Sequence, residues 1–119
     1  MTSKQQATGR KISEVFLEFS EPLWVTDGRT PTRAELERAL RISWLVWNSA
    51  VSDAIGGNDA ALRRLRESLG DVPAMLKVCE LLLRRKKHLY AGDLRLITSY
   101  QIVDENGKWR LEVEAAADS

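Results

Sequence analysis

One cysteine, one histidine and three prolines are all that this chain of 119 residues has of those types. A lone thiol excludes a disulfide framework, and a single imidazole removes most zinc sites, which need several cysteine or histidine ligands. No apolar run approaches the roughly 20 residues that span a bilayer, and residues 1–10 (MTSKQQATGR) lack the apolar centre of a signal segment. An excess of charge is missing too: 18 basic residues face 17 acidic ones, for a net charge of +1. That balance is unlike the basic domain expected of a nucleic-acid binder. Gly56-Gly57 has no lysine and serine or threonine after it, so no phosphate-cradling loop is readable. What remains is a globular mixture, 44% hydrophobic and 29% charged, in which disorder and collagen-like readings fail. The length suits one domain, expected over residues 11–116, with a flexible N-terminal tail at 1–10 and a short C-terminal tail at 117–119.

The near-neutral total conceals a polarised chain. Residues 1–62 carry seven basic and eight acidic side chains, residues 63–88 eight and three, and residues 89–119 three and six. A segment at net +5 beside one at net −3 matters for association more than for fold. It can attract an anionic partner, or the acidic end of a second copy.

Val15, Leu17 and Phe19 alternate with Phe16 and Glu18, the period of two that predicts a strand. Residues 21–30, with Pro22 and Asp27-Gly28, predict a loop whose Leu23, Trp24 and Val25 tuck onto the core. Thr32 and Glu35 then form a capping box, opening a helix. Leu36, Leu40, Trp44, Trp47, Val51 and Ile55 recur at helical spacing along it, and Ile42, Leu45 and Val46 widen the apolar surface to most of the circumference. Such a helix is expected to be buried, leaving only the line Glu37, Arg41, Asn48, Ser52 polar. Gly56-Gly57 ends it. A second helix is expected over 59–69, with Leu62, Leu65 and Leu69 inward and Arg63, Arg64 and Arg66 outward. Pro73 opens a third, with Met75, Leu76, Cys79, Leu82 and Leu83 inward and cations in its last turns.

Asn106-Gly107 predicts a hairpin with a type I′ turn. A two-residue turn there pairs Glu105 with Lys108, Val103 with Arg110, Ile102 with Leu111, Gln101 with Glu112, Tyr100 with Val113 and Ser99 with Glu114. Apolar and charged residues then separate cleanly onto two faces, which a one-residue slip would mix. The expected fold is therefore α+β in the order β-α-α-α-β-β, a small three-stranded, mainly antiparallel sheet with helices on one face. Phe16, Ile97 and Val103 are expected on its outward face.

The candidates for chemistry are few, and no catalytic, metal or cofactor site is expected. His88 lies in RRKKHLY, among cations that disfavour its own charge, and reads as a surface residue; base chemistry would need an acid such as Asp93 nearby. Cys79 falls on an apolar stripe and reads as core. Glu112 and Glu114 share a strand face, as solvated residues commonly do. Trp44 and Trp47 read as core; the other reading is a ligand pocket formed with Trp24 and Asn48. Arg84, Arg85, Lys86, Lys87 and His88 form the main candidate patch for an anionic partner or nucleic acid, although consecutive cations splay around a helix.

The function expected is non-catalytic binding or assembly. Self-association into a homodimer is expected through the outward sheet residues and the apolar central helix, an isologous contact being the commonest way to cover such surface. Nucleic-acid binding at the basic helix end and small-ligand binding at the Trp/Asn pocket are the alternatives. A single unpaired thiol suits the cytoplasm, and no membrane partner is expected.

Overall fold

A computed structural model describes residues 10–25 and 28–116. The expected tails at 1–10 and 117–119, apart from Arg10, and Asp27 of the expected loop lie outside the described residues. Among the described residues four helices precede a hairpin: α1 (Ile12–Trp24), α2 (Arg33–Gly56), α3 (Ala60–Ser68), α4 (Pro73–Leu89), β1 (Leu96–Glu105) and β2 (Lys108–Ala116). The chain is a small α+β domain whose sheet, among the described residues, has two antiparallel strands rather than three.

The segment expected as a strand is α1. Ile12, Val15, Phe16, Phe19 and Leu23 recur at three and four, a helical stripe that overlies the Val15-Leu17-Phe19 alternation. Over so short a run the two periods cannot be told apart; tertiary packing decides, and Val15, Phe16 and Phe19 are all fully buried. Pro22 sits inside the helix near its C-terminal end. A proline there has no N–H to give the carbonyl four residues back, which is that of Glu18. Arg85 of α4 supplies the missing donor: its Nη2 donates to Glu18 O at 2.9 Å, and its Nε to Phe19 O at 3.3 Å. Leu23 and Trp24 pack against the core as expected, but Val25 stays exposed.

The capping box of α2 is complete, with Glu35 N donating to Thr32 Oγ1 at 3.1 Å and Thr32 N to Glu35 Oε1 at 2.8 Å. Gly57 ends the helix at φ +68°, a left-handed C-cap that a side chain would strain. Between these caps, α2 contacts α1, α3, α4 and β1, and buries Leu36, Leu40, Val46, Trp47 and Val51. It is less completely buried than expected: Leu45 is 44% and Ile55 57% exposed.

All six expected cross-strand pairs of the hairpin occur. Asn106 at φ +53° and Gly107 at φ +80° form the left-handed pair that a type I′ turn requires. Ile102 and Leu111 are buried, with Tyr100 and Val113 half-buried beside them. One irregularity changes the pattern upstream: the register moves from Ser99↔Glu114 to Ile97↔Ala115, leaving Thr98 as an extra residue in β1. A bulge reverses the alternation, so Ile97 turns inward and is 1% exposed. The outward placement of Phe16 and Ile97 is thereby corrected: Phe16 is buried as a helix residue and Ile97 by the bulge. Val103 alone of the three remains half-exposed.

Candidate functional site

The basic run does not form one patch. At about 100° per residue, its members diverge around α4: Arg84, Lys87 and His88 are exposed, Arg85 turns to α1, and Lys86 is buried at 5% exposure. Lys86 continues the stripe of Cys79 and Leu82 into the core. Its Nζ donates to Tyr90 O at 2.7 Å and Asp93 O at 2.9 Å, and lies 4.5 Å from the centre of the Trp47 ring. An ammonium group thus caps the end of α4 from inside and stacks on an indole face. Burial pushes its pKa down to about 8, against the nearby Asp93 charge, which pulls it up.

Two buried carboxylates complete this framework. Asp93 accepts from Arg95 Nε at 2.9 Å and from its Nη2, while Arg95 Nη1 donates to Arg10 O at 2.8 Å. Asp93 is thus engaged with Arg95, and His88 has no acid partner among the described residues. Asp53 of α2 accepts from Ala61 N and Leu62 N, both at 2.9 Å, so the first turn of α3 is capped by a neighbouring helix. Asn58, just before the helix, takes one more amide, Ala60 N, at 3.0 Å.

Asp53, Asn58 and Lys86 border a cavity of about 680 Å³ between the end of α2, the start of α3 and the last turns of α4, lined also by Leu62, Leu83 and Lys87. Its two buried charges are already committed: both oxygens of Asp53 hold backbone amides, and Lys86 holds two backbone carbonyls. A second hollow, a groove of about 580 Å³, runs between α3 and α4. Leu76 and Leu81 supply its apolar lining, and Arg66, Lys77, Glu80 and Arg84 its polar one. Arg66 pairs with Glu80 at 2.8 Å across the two helices. Lys77 and Arg84, on one face of α4 with Leu81, have no hydrogen-bond or ion-pair partner among the described residues.

The expected Trp/Asn pocket is a fastening instead. Asn48 Oδ1 accepts from Ile97 N at 2.9 Å and its Nδ2 donates to Ile97 O at 2.8 Å, so one side chain pairs with β1 as a neighbouring strand would. Trp44 Nε1 also donates to Ile97 O, and Trp47 Nε1 to Arg95 O, each at 2.8 Å. Trp24 belongs elsewhere: its Nε1 donates to Ser20 Oγ at 3.0 Å, and its ring meets Trp109 edge-on. None of the four lines the cavity or the groove.

Cys79 is buried, and burial pushes its thiol pKa up. Glu112 accepts from Gln101 and Arg110, which hold its pKa below the usual carboxylate range, and Glu114 accepts from Ser99. Among the described residues no three histidine, cysteine or acidic side chains cluster as a metal site, and no helix is long and apolar enough to cross a membrane.

Sequence reasoning missed Asp53, and it read Lys86 as a surface cation and Asp93 as an acid for His88 rather than as buried groups. A signal for Lys86 was present, since it falls seven residues after Cys79 and four after Leu82 on the inward stripe. No family model, curated protein or solved structure matches this chain.

Proposed function

We propose that this protein is a non-catalytic binding module that captures an acidic, amphipathic segment of a partner protein on the α3–α4 face, in the cytoplasm. The observation that carries this reading is the division of charge between the two hollows. In the cavity the buried ionisable groups are consumed by the backbone, while in the groove Lys77 and Arg84 flank Leu81 uncommitted. Leucines beside unpaired cations suit a ligand with an apolar stripe and carboxylates next to it.

Nucleic acid is the less favoured occupant. Arg85 and Lys86, two of the five residues of the basic run, are spent on α1 carbonyls and on the end of α4. The apolar part of the groove is aliphatic, Leu76 and Leu81, with no aromatic ring for a base to stack on.

The test uses a fluorescein-labelled helical peptide with leucines at helical spacing and glutamates flanking them, alongside a labelled single-stranded oligonucleotide. The peptide is expected to bind with an affinity that falls as salt rises. Lys77→Glu with Arg84→Glu should lower that affinity by about tenfold or more, which is about 1.4 kcal/mol. Absence of peptide binding at low salt overturns the reading, as does preferential binding of the oligonucleotide.

A further inference from the structure

A two-stranded sheet has two edges, and here they differ. The outer edge of β1 is occupied. Asn48 takes both the N–H and the C=O of Ile97, and Arg33 Nη2 donates to Ile102 O at 3.2 Å. The outer edge of β2 carries no such partner. In a hairpin closed by a two-residue turn, the residues flanking the turn exchange both backbone hydrogen bonds, and every second pair does the same. Lys108, Arg110 and Glu112 therefore turn their backbone groups to β1, while Trp109, Leu111 and Val113 turn theirs away. Among the described residues nothing bonds to those outward N–H and C=O groups. From Lys108 to Glu114 the strand has no proline and no bulge, two of the devices that blunt an edge.

The side chains along β2 say what fits there. On its exposed face the order is Lys108, Arg110, Glu112, Glu114: two cations, then two anions, symmetric in position and opposite in sign about Leu111. We infer that this edge is a self-pairing surface, on which β2 of a second copy of the chain joins antiparallel about a two-fold axis at Leu111, making a four-stranded sheet β1-β2-β2-β1.

In that register Arg110 faces Glu112 of the other copy and Lys108 faces its Glu114, each pair occurring twice. The outward backbone groups at Leu111, and at Trp109 opposite Val113, become the hydrogen-bonded pairs. The charged residues then fall at the non-hydrogen-bonded positions, where facing residues lie closer, about 4.5 Å between Cα atoms. Other registers are excluded by sign. An axis at Glu112 sets Glu112 against itself, and one at Arg110 sets Arg110 against itself. An axis at Val113 opposes Glu112 to Glu114, and one at Trp109 opposes Lys108 to Arg110. Only the axis at Leu111 leaves no like pair. Within one copy Arg110 already reaches Glu112 at 2.8 Å and Glu105 at 3.2 Å, but both are exposed ion pairs of small worth that a facing strand can share or replace.

This surface is separate from the α3–α4 groove, and its readout is mass rather than ligand capture, so either reading can fail alone. The experiment is sedimentation equilibrium on the full chain at concentrations up to about 1 mM, the weak limit of specific pairing. The unaltered protein is expected to dimerise. A Lys108→Glu/Arg110→Glu chain, acidic at all four positions, should be monomeric, and so should a Glu112→Lys/Glu114→Lys chain, basic at all four. Mixing the two should restore a one-to-one dimer, because every facing pair is then opposite in sign. The four substitutions combined in one chain should restore the homodimer. All positions are exposed, and circular dichroism checks that each variant is folded. A monomeric unaltered protein overturns the inference. So does a dimer that survives the Lys108→Glu/Arg110→Glu change, or variants that stay monomeric when mixed.

Discussion

Lys86 and Arg84 lie two residues apart on one helix, and their surroundings separate the interior of the molecule from its face. Around Lys86 every charge is engaged: the ammonium on two carbonyls and an indole ring, Asp93 on Arg95, Asp53 on two amides of α3. Around Arg84 the engagement is partial: Arg66 pairs with Glu80, but Arg84 and Lys77 are unpartnered among the described residues. Burial makes the difference. An ionised group out of water is tolerated only when polar groups surround it, whereas an exposed one is solvated and stays available to a partner. Charges inside this protein hold helix ends and turns; Lys77 and Arg84 on the α3–α4 face are left for association.

Removing an interior hydrogen-bonding side chain should therefore cost stability, and removing a surface charge should not. The largest effect is expected for Asp53→Ala, which strips two amides at the start of α3 of a buried, charged acceptor. Chemical denaturation should show a loss of about 3 kcal/mol. An unchanged midpoint would mean that water replaces the carboxylate, and the contrast between interior and face would fail. Lys86→Met keeps the stem volume against Trp47 but leaves the carbonyls of Tyr90 and Asp93 without their donor. A loss of about 1–2 kcal/mol at neutral pH is expected in the same measurement.

Lys86 also sets a pH dependence. Its pKa is near 8 when folded, against the usual 10.5. Between those values the unfolded chain still holds a proton that the folded one has released, so stability should rise across that window, by on the order of 2 kcal/mol. Tyr90 acts oppositely. Burial first, and then its hydrogen bond to Glu18, push its pKa up to about 12, so the folded state keeps a proton that the unfolded chain loses above pH 10, and stability should fall there. Thermal melts across pH 7 to 11 should show a maximum near pH 10, and Lys86→Met should flatten the rising limb. At the other end of the scale, Lys77→Gln and Arg84→Gln should shift stability by no more than about 0.5 kcal/mol, while weakening capture of the acidic peptide.

The legibility of the chain follows the same division between local and long-range causes. The hairpin register was readable because Asn106-Gly107 fixes the turn and the alternation on each side fixes the phase. The Thr32/Glu35 cap was readable because both partners lie within one helical turn. The helical state of α1 was not, since the apolar positions of the short segment 12–19 fit either period and Pro22 argues against a helix. What permits that proline is Arg85, more than sixty residues away in the chain. The bulge at Thr98 was equally hidden, and it is the reason Ile97 lies inside rather than on a dimer face.

By itself the sequence determined the α+β class, the cap of α2, the paired strands of the hairpin and the sign pattern along β2, because each depends on neighbours in the chain or on a turn that sets their spacing. Only the tertiary structure decided which cations stay outside. The direction of a lysine or arginine on α4 depends on what the other helices place opposite it, and sequence separation carries no record of that distance.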